Sequence, residues 1–434
     1  MKGKCYRKEI DESSIICEHR GLSQKAELTY NPKSRKWRFL VSLILLLGVG
    51  LLGVSCAKAQ ESNSTNDLSE EESLEVIKAL AKNLKKYDEL RRFCEGLAAV
   101  IKYEPGPTCG FINMKGEEII PCTSEIDVED LVEFHEGLAY MRLDGYINTK
   151  GEIVIPSRDD WSHSEWGGPG DFHDGIATIR LDDEDKGYGY CFINTKGEEV
   201  IPRIYNASAG DFHEGLAMIE KIDEDCNYYF VFINKKGEEV IPCRYSDAGD
   251  FHEGLAKVRN GDWENGKYGF INTKGEEVIP CRYDEAGDFH EGLARVQKGD
   301  KYGFVNTKGE EVIPCRYDYV GNFSEGLAYI SKGEKIGFIN KKGEEVIPCR
   351  YDYYDDHENN PGYLCGEIGF NNGLARIRKG DWENGKYGFI NTKGEEVIPF
   401  IYDYAMNFND GLALVRRGEE WGYIDKYGHC TIDY

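Results

Sequence analysis

A chain of 434 residues carrying a formal charge of −25 has room for two or three ordinary domains. Its body is too acidic to grip nucleic acid or an anionic membrane surface, because phosphate binding needs a basic face. Tyr (28) and Gly (50) are abundant while Met (5) is scarce, a balance that favours pleated sheet and tight turns.

Residues 1–38 are polar and end in the basic cluster Lys33-Ser-Arg-Lys-Trp-Arg38. Residues 39–57 follow, 19 positions without a charge between Arg38 and Lys58, about the minimum that crosses a bilayer as a helix. The basic cluster would stay cytoplasmic and send everything downstream outward. Two readings remain open: a cleaved export signal, or an uncleaved transmembrane anchor. Leu52-Gly-Val-Ser-Cys56 resembles the lipobox of bacterial lipoproteins, with Gly53 where that family usually has Leu. The resemblance implies lipidation of Cys56, and this is the preferred reading. Both place the rest of the protein outside the cytoplasm on a membrane.

Residues 58–67 form a Ser/Asn-rich tether with nothing to bury. Within 68–92, Ser69-Glu-Glu-Glu72 is a capping box. Leu74, Ile77, Leu80, Ala81, Leu84, Tyr87 and Leu90 then lay one apolar stripe on a helix. This helix is expected to cover the open end of a repeat array.

Residues 93–434 repeat one sentence nine times, opening at Phe93, Phe134, Phe172, Phe212, Phe251, Phe289, Phe323, Phe370 and Phe408. Spacings of 34 to 47 residues mean a repeat architecture. In the copy at 251–288, strands are expected at 254–259, 267–272 and 277–282, the last two joined by the turn Asn272-Thr-Lys-Gly275. The expected fold is all-β: three-stranded antiparallel units in an open, solenoid-like array. A β-propeller is the alternative, disfavoured because propellers usually have about four to eight blades of four strands. Nor does a spare strand remain to clasp first unit to last.

The cysteines of one column (Cys122, Cys243, Cys281, Cys315, Cys349) would lie roughly 14 Å apart in a continuous sheet. A disulfide needs about 7 Å between Cα atoms, so they read as unbridged thiols. The first hairpin of each unit varies in length, and 353–365 is a long insertion. Variable loops on a fixed scaffold are where binding is expected, which makes Trp263, Trp382, Tyr353, Tyr354, His357 and Tyr363 the candidate contact residues.

The signature aromatic-Gly-Phe-Ile-Asn…Gly…Val-Ile-Pro…Tyr-Asp…Phe-x-Glu-Gly-Leu-Ala resembles the WG repeat of bacterial proteins. The Trp-Gly pair itself survives at Trp421-Gly422; Tyr268-Gly269, Tyr302-Gly303, Tyr387-Gly388 and Ile336-Gly337 replace it elsewhere. Tyr190-Cys191 and Phe230-Val231 lose the Gly, for which a less close strand crossing is expected. The resemblance implies β-rich repeats, often exported or anchored, with interaction roles.

His135, His173, His213, His252 and His290 follow the opening Phe, and imidazoles in register could bind a metal or sense pH. Cys94, Ser324, Asn371 and Asn409 share the column, so its common property is a small polar group for turn hydrogen bonds. No metal site, cofactor or catalytic residue is assigned. The expected role is a non-catalytic, membrane-tethered scaffold for a protein or glycan at the cell envelope. A passive envelope spacer is the alternative, and a hydrolase of envelope polymers a weaker one.

Overall fold

The dipeptide that follows each opening Phe-x pair turns the chain back on itself. The computed structural model describes residues 68–434 apart from 105, 126–132, 142–143, 163–168, 184–186, 206–207, 223–227, 243–244, 262–264, 353–367 and 382–383. Glu253 and Gly254 both take positive φ, 53° and 79°. Two such residues in succession make the type I′ turn whose twist suits a two-residue hairpin. The residues before the turn therefore pair with those after it. Asp247–His252 lies antiparallel to Leu255–Asn260, followed by Lys267–Asn272 and Glu277–Tyr283. The repeat is thus a four-stranded sheet, where three strands were expected. Nine sheets result, seven with four strands and two with three.

The sheets close into a ring. Between neighbouring sheets, an aromatic on the third strand meets the opening Phe of the next copy edge-on, as in Phe270–Phe289 (4.8 Å between centroids) and Phe304–Phe323 (4.7 Å). The same contact joins the ninth sheet to the first, Tyr423 to Phe93 at 4.9 Å. Ser324 Oγ donates to the Phe370 carbonyl oxygen at 2.6 Å, and Asn409 Nδ2 does the same to Phe93 at 2.7 Å across the closing seam. Asp410 accepts from the Gly96 N–H at 2.8 Å, as Glu253 does from Gly292. The expected open array is therefore wrong: the fold is a nine-bladed β-propeller, each sheet a blade. The reason is geometric. Blades that meet face to face through bulky aromatics splay about an axis, whereas a solenoid would need them hydrogen-bonded edge to edge.

Helix α1 (Glu70–Leu84) does the work of a missing strand. The ninth blade has no fourth strand; Cys430 makes a single bridge to Ile424 before the short helical turn Thr431–Asp433. Elsewhere the turn glycine of a blade rests on an Ile of the preceding outermost strand, as Gly309 does on Ile279. Gly116 of the first blade instead rests on the backbone of Ala79 and Leu80. Ile77, Leu80 and Leu84 are buried there with Leu90, Phe93, Leu412 and Tyr423 in one cluster spanning the seam. Ser69 and Glu72 form the capping box that starts α1. The ring leaves no open end for it to cover; it fills the joint between first and last blades.

One glycine explains the Trp-Gly signature. A Cβ on Gly303 would lie 2.4 Å from the Ile313 carbonyl oxygen and 2.6 Å from the Cys315 nitrogen, both backbone atoms. A full outermost strand has seven residues, as in Glu277–Tyr283; where Val231 takes this place, the described strand is Glu239–Ile241, just ahead of residues 243–244. Cys191 keeps the full length, Glu199–Tyr205. The column thiols of Cys122, Cys281 and Cys315 point at backbone carbonyls of Val100, Val258 and Val296 at 3.6–3.7 Å, and no disulfide joins the described cysteines. Among the described residues no helix is long and apolar enough to cross a membrane. Residues 39–57, with Cys56, lie outside them.

Candidate functional site

In blades three to six the first strand is the one nearest the axis, because these strands touch one another from blade to blade. On that strand the opening Phe is buried between blades, and the residues on either side of it point to the opposite face. Before the Phe stand Glu133, Asp171, Asp211, Asp250 and Asp288 in blades two to six; after it stand the five histidines. The imidazoles follow one another from blade to blade with centroid separations of 5.9, 5.1, 5.7 and 6.0 Å. Three of them face a carboxylate of the next blade: His135 Nε2 is 3.3 Å from Asp171, His213 is 3.6 Å from Asp250 and His252 is 3.9 Å from Asp288.

Burial sets the electrostatics of this arc. It pushes the Asp171 carboxyl well above the usual carboxylate range, against the pull of His173 and with help from Asp211. About a third of that side chain stays exposed (34%), so the effect is milder than full burial would give. Burial likewise raises Asp211, opposed by His173 and by the Thr178 hydroxyl. It lowers His135, opposed by Glu133. Asp171 and Asp211 are thus raised and His135 lowered, each chiefly because burial disfavours its charged form.

The arc is interrupted on both sides. In blades seven and nine the two positions hold Asn322/Ser324 and Asn407/Asn409, which cannot titrate. In the first blade they hold Arg92 and Cys94. Arg92 grips Glu133 with two parallel bonds, Nε to Oε1 at 2.8 Å and Nη2 to Oε2 at 2.7 Å. Cys94 Sγ donates to the Phe134 carbonyl oxygen at 3.3 Å. The expected turn hydrogen bonds of this column are replaced by bonds from Cys94, Ser324 and Asn409 to the next blade's Phe carbonyl oxygen, while His135, His213 and His252 face carboxylates. The sequence shows the residues as a recurring tetrapeptide Gly-Asp-Phe-His, but the pairing runs from the His of one copy to the acid of the next.

The residues singled out for binding, Trp263, Trp382, Tyr353, Tyr354, His357 and Tyr363, lie outside the described residues, as does Cys56. A shallow cavity of about 410 Å³ opens at the outer rim beside Arg316, Tyr317, Lys332, Gly343 and Glu345. Its charges are committed to each other: Lys332 pairs with Glu345 at 2.5 Å, and Arg316 donates to Tyr317 and to the Gly343 carbonyl. It reads as joinery between blades.

Among curated proteins none matches the chain. Solved structures that resemble it are distant. An uncharacterized protein of Listeria monocytogenes is 9% identical, with 80% of this chain and 94% of that one covered at a TM-score of 0.34. The β-propeller domain of the Trilobed protease from Pyrococcus furiosus is 12% identical, with 59% and 92% covered at 0.33. Hsv2p of Kluyveromyces lactis is 8% identical, with 77% and 91% covered at 0.34. The ring closure rests on this chain's own contacts. The WG containing repeat matches residues 110–145, 145–158, 190–222, 232–262, 268–302, 302–335, 336–360 and 387–421. These segments cover more than half of the sequence, and the chain belongs to the family of WG-repeat proteins.

Proposed function

We propose that this propeller is a non-catalytic binding scaffold that presents one face of hairpins to a protein or glycan at the cell envelope. Residues 39–57 hold it to the membrane, with Cys56 as the lipidated residue if the leader is cleaved. The observation that carries the reading is the unequal treatment of the repeat's parts. Inter-blade bonds recur with nearly fixed geometry, whereas the link between second and third strands is free to vary. It is Gly299-Asp300 in the sixth blade and six residues, 261–266, in the fifth. Parts that vary on a rigid frame are the ones available for recognition. A closed ring also has no reach that grows with repeat number, which removes the motive for a spacer.

The test compares fragment 58–434, which contains every contact of the ring, with a variant whose 261–266 and 380–385 links are cut to Gly-Asp. A glycan array and a pull-down from envelope extract should give a partner for the first that the second has lost, at unchanged melting temperature. Absence of any partner, or equal binding by both forms, defeats the proposal.

A further inference from the structure

We infer that the junction of the first and second blades binds one zinc-class divalent ion through Cys94, Glu133 and His135. Among the described residues this is the one place where three such donors converge, a thiol sulfur, a carboxylate oxygen and an imidazole nitrogen all within 4.8 Å of one another. Zinc bonds to these atoms of about 2.0 to 2.3 Å put tetrahedral ligands about 3.5 Å apart. The side chains therefore have to approach by about 1 Å, which small rotations supply. Sulfur and imidazole together favour zinc-type ions over calcium or magnesium, which prefer all-oxygen shells.

The surroundings suit the role. Cys94 is 4% exposed, so a metal there is screened from solvent on the sulfur side. Arg92 holds Glu133 in a fixed orientation through two bonds, and each carboxylate oxygen keeps a further lone pair for a metal. Asp171 lies 3.3 Å from His135 Nε2, a carboxylate partner of the kind that orients ligating imidazoles. The thiol proton, now directed at the Phe134 carbonyl, would leave to solvent, so one proton is released for each ion bound. Three protein ligands leave a fourth position for water or a partner's donor atom. This site uses none of the variable hairpins and stands or falls apart from the scaffold reading.

The repeat itself supplies variants that the fold tolerates. Serine occupies the Cys94 position at Ser324, and asparagine occupies the positions of Glu133 and His135 at Asn322 and Asn409. The full chain, purified in detergent and freed of metal, is titrated with Co²⁺ and then with Zn²⁺. The expected result is one Co²⁺ per chain, a thiolate-to-cobalt charge-transfer absorption, and its disappearance as Zn²⁺ displaces cobalt. Cys94→Ser should abolish that absorption. Glu133→Asn and His135→Asn should each weaken binding by at least about tenfold, while His290→Asn, four blades away, leaves it unchanged. A wild-type chain without the absorption overturns the inference whether or not the variants fold. So does an absorption that survives Cys94→Ser, or a His290→Asn chain weakened as much as His135→Asn.

Discussion

Aspartates beside the opening Phe and aspartates in the links between blades of the same propeller behave as opposites. In the links that lead from one blade into the first strand of the next, Asp284 and Asp318 have both oxygens committed, one to Lys267 or Lys301 and the other to the N–H of Gly299 or Gly333. The lysine and then the glycine N–H hold both carboxyls below the usual range. Near the axis, Asp171 and Asp211 face imidazoles whose charge is conditional, and burial raises them. One residue type thus serves as permanent joinery where its partners are permanently charged, and as a titrating group where they are not. These links can be copied from blade to blade because nothing in them is left to vary. The axis changes from arginine and cysteine through histidine and acid to asparagine, and that is where individual blades differ in chemistry.

The largest expected effect comes from the one stretch of rim that is not a strand. Leu80 of α1 is fully buried at the seam. Leu80→Ala should cost about 3 kcal/mol, by lost burial and by the cavity left behind. Thermal unfolding of 58–434 measures it; a shift no larger than that of an exposed-site control would mean that α1 does not close the ring. Next comes the tie between rim and body within a blade. Gly303→Ala drives a Cβ into backbone atoms of the outermost strand and should cost about 2–3 kcal/mol. Hydrogen exchange should rise first at 311–317, and uniform exchange across the blade would contradict that account.

Acid titration tests the opposition itself. The unfolded carboxyl titrates near about 3.9. The link carboxyls of Asp284 and Asp318 lie lower when folded, so their contribution is complete above that pH and is lost as pH falls through the folded values. Asp211 lies higher when folded, so its ionisation costs stability as pH rises from about 3.9 toward the raised value. Asp284→Asn with Asp318→Asn should therefore lower the melting temperature at neutral pH and match wild type well below pH 3.9 or so. Asp211→Asn should raise it at neutral pH and have no effect in acid. Two variants that move the melting temperature in the same direction at neutral pH would erase the distinction between the two sets of aspartates.

The family, the repeat phase and the Asn-Thr-Lys-Gly turns were legible in the sequence. Asn272 confirms the turn by accepting from the Lys274 and Glu276 N–H groups. The fourth strand was legible too but went unread. Asp174-Gly175, Asn372-Gly373 and Asp410-Gly411 are strong hairpin signals, obscured because the commoner copies put glutamate first. Closure was not legible, since it depends on pairs such as Asn409 with Phe93, 316 positions apart, whose meeting is the sum of eight blade-to-blade rotations. The histidines were seen as a column, but their acidic partners belong to the next blade. No spacing within one copy reveals that pairing.

The smallest effect isolates what those glutamates contribute. In all nine blades the first turn residue is not glycine yet takes φ between 49° and 55°, a region that costs a side chain about 1 kcal/mol. Glu253 offsets this by accepting the Gly292 N–H at 2.8 Å, linking its turn to the next blade. Glu253→Ala keeps the strain and loses the bond, whereas Glu253→Gly loses the bond and relieves the strain. The alanine variant should be less stable than wild type by about 1 kcal/mol, with glycine recovering most of the difference. If both fell equally, the backbone would carry no strain there and the bond alone would hold the turn. If neither fell, the ring of turn contacts would contribute nothing, and closure would rest on the aromatic contacts and α1.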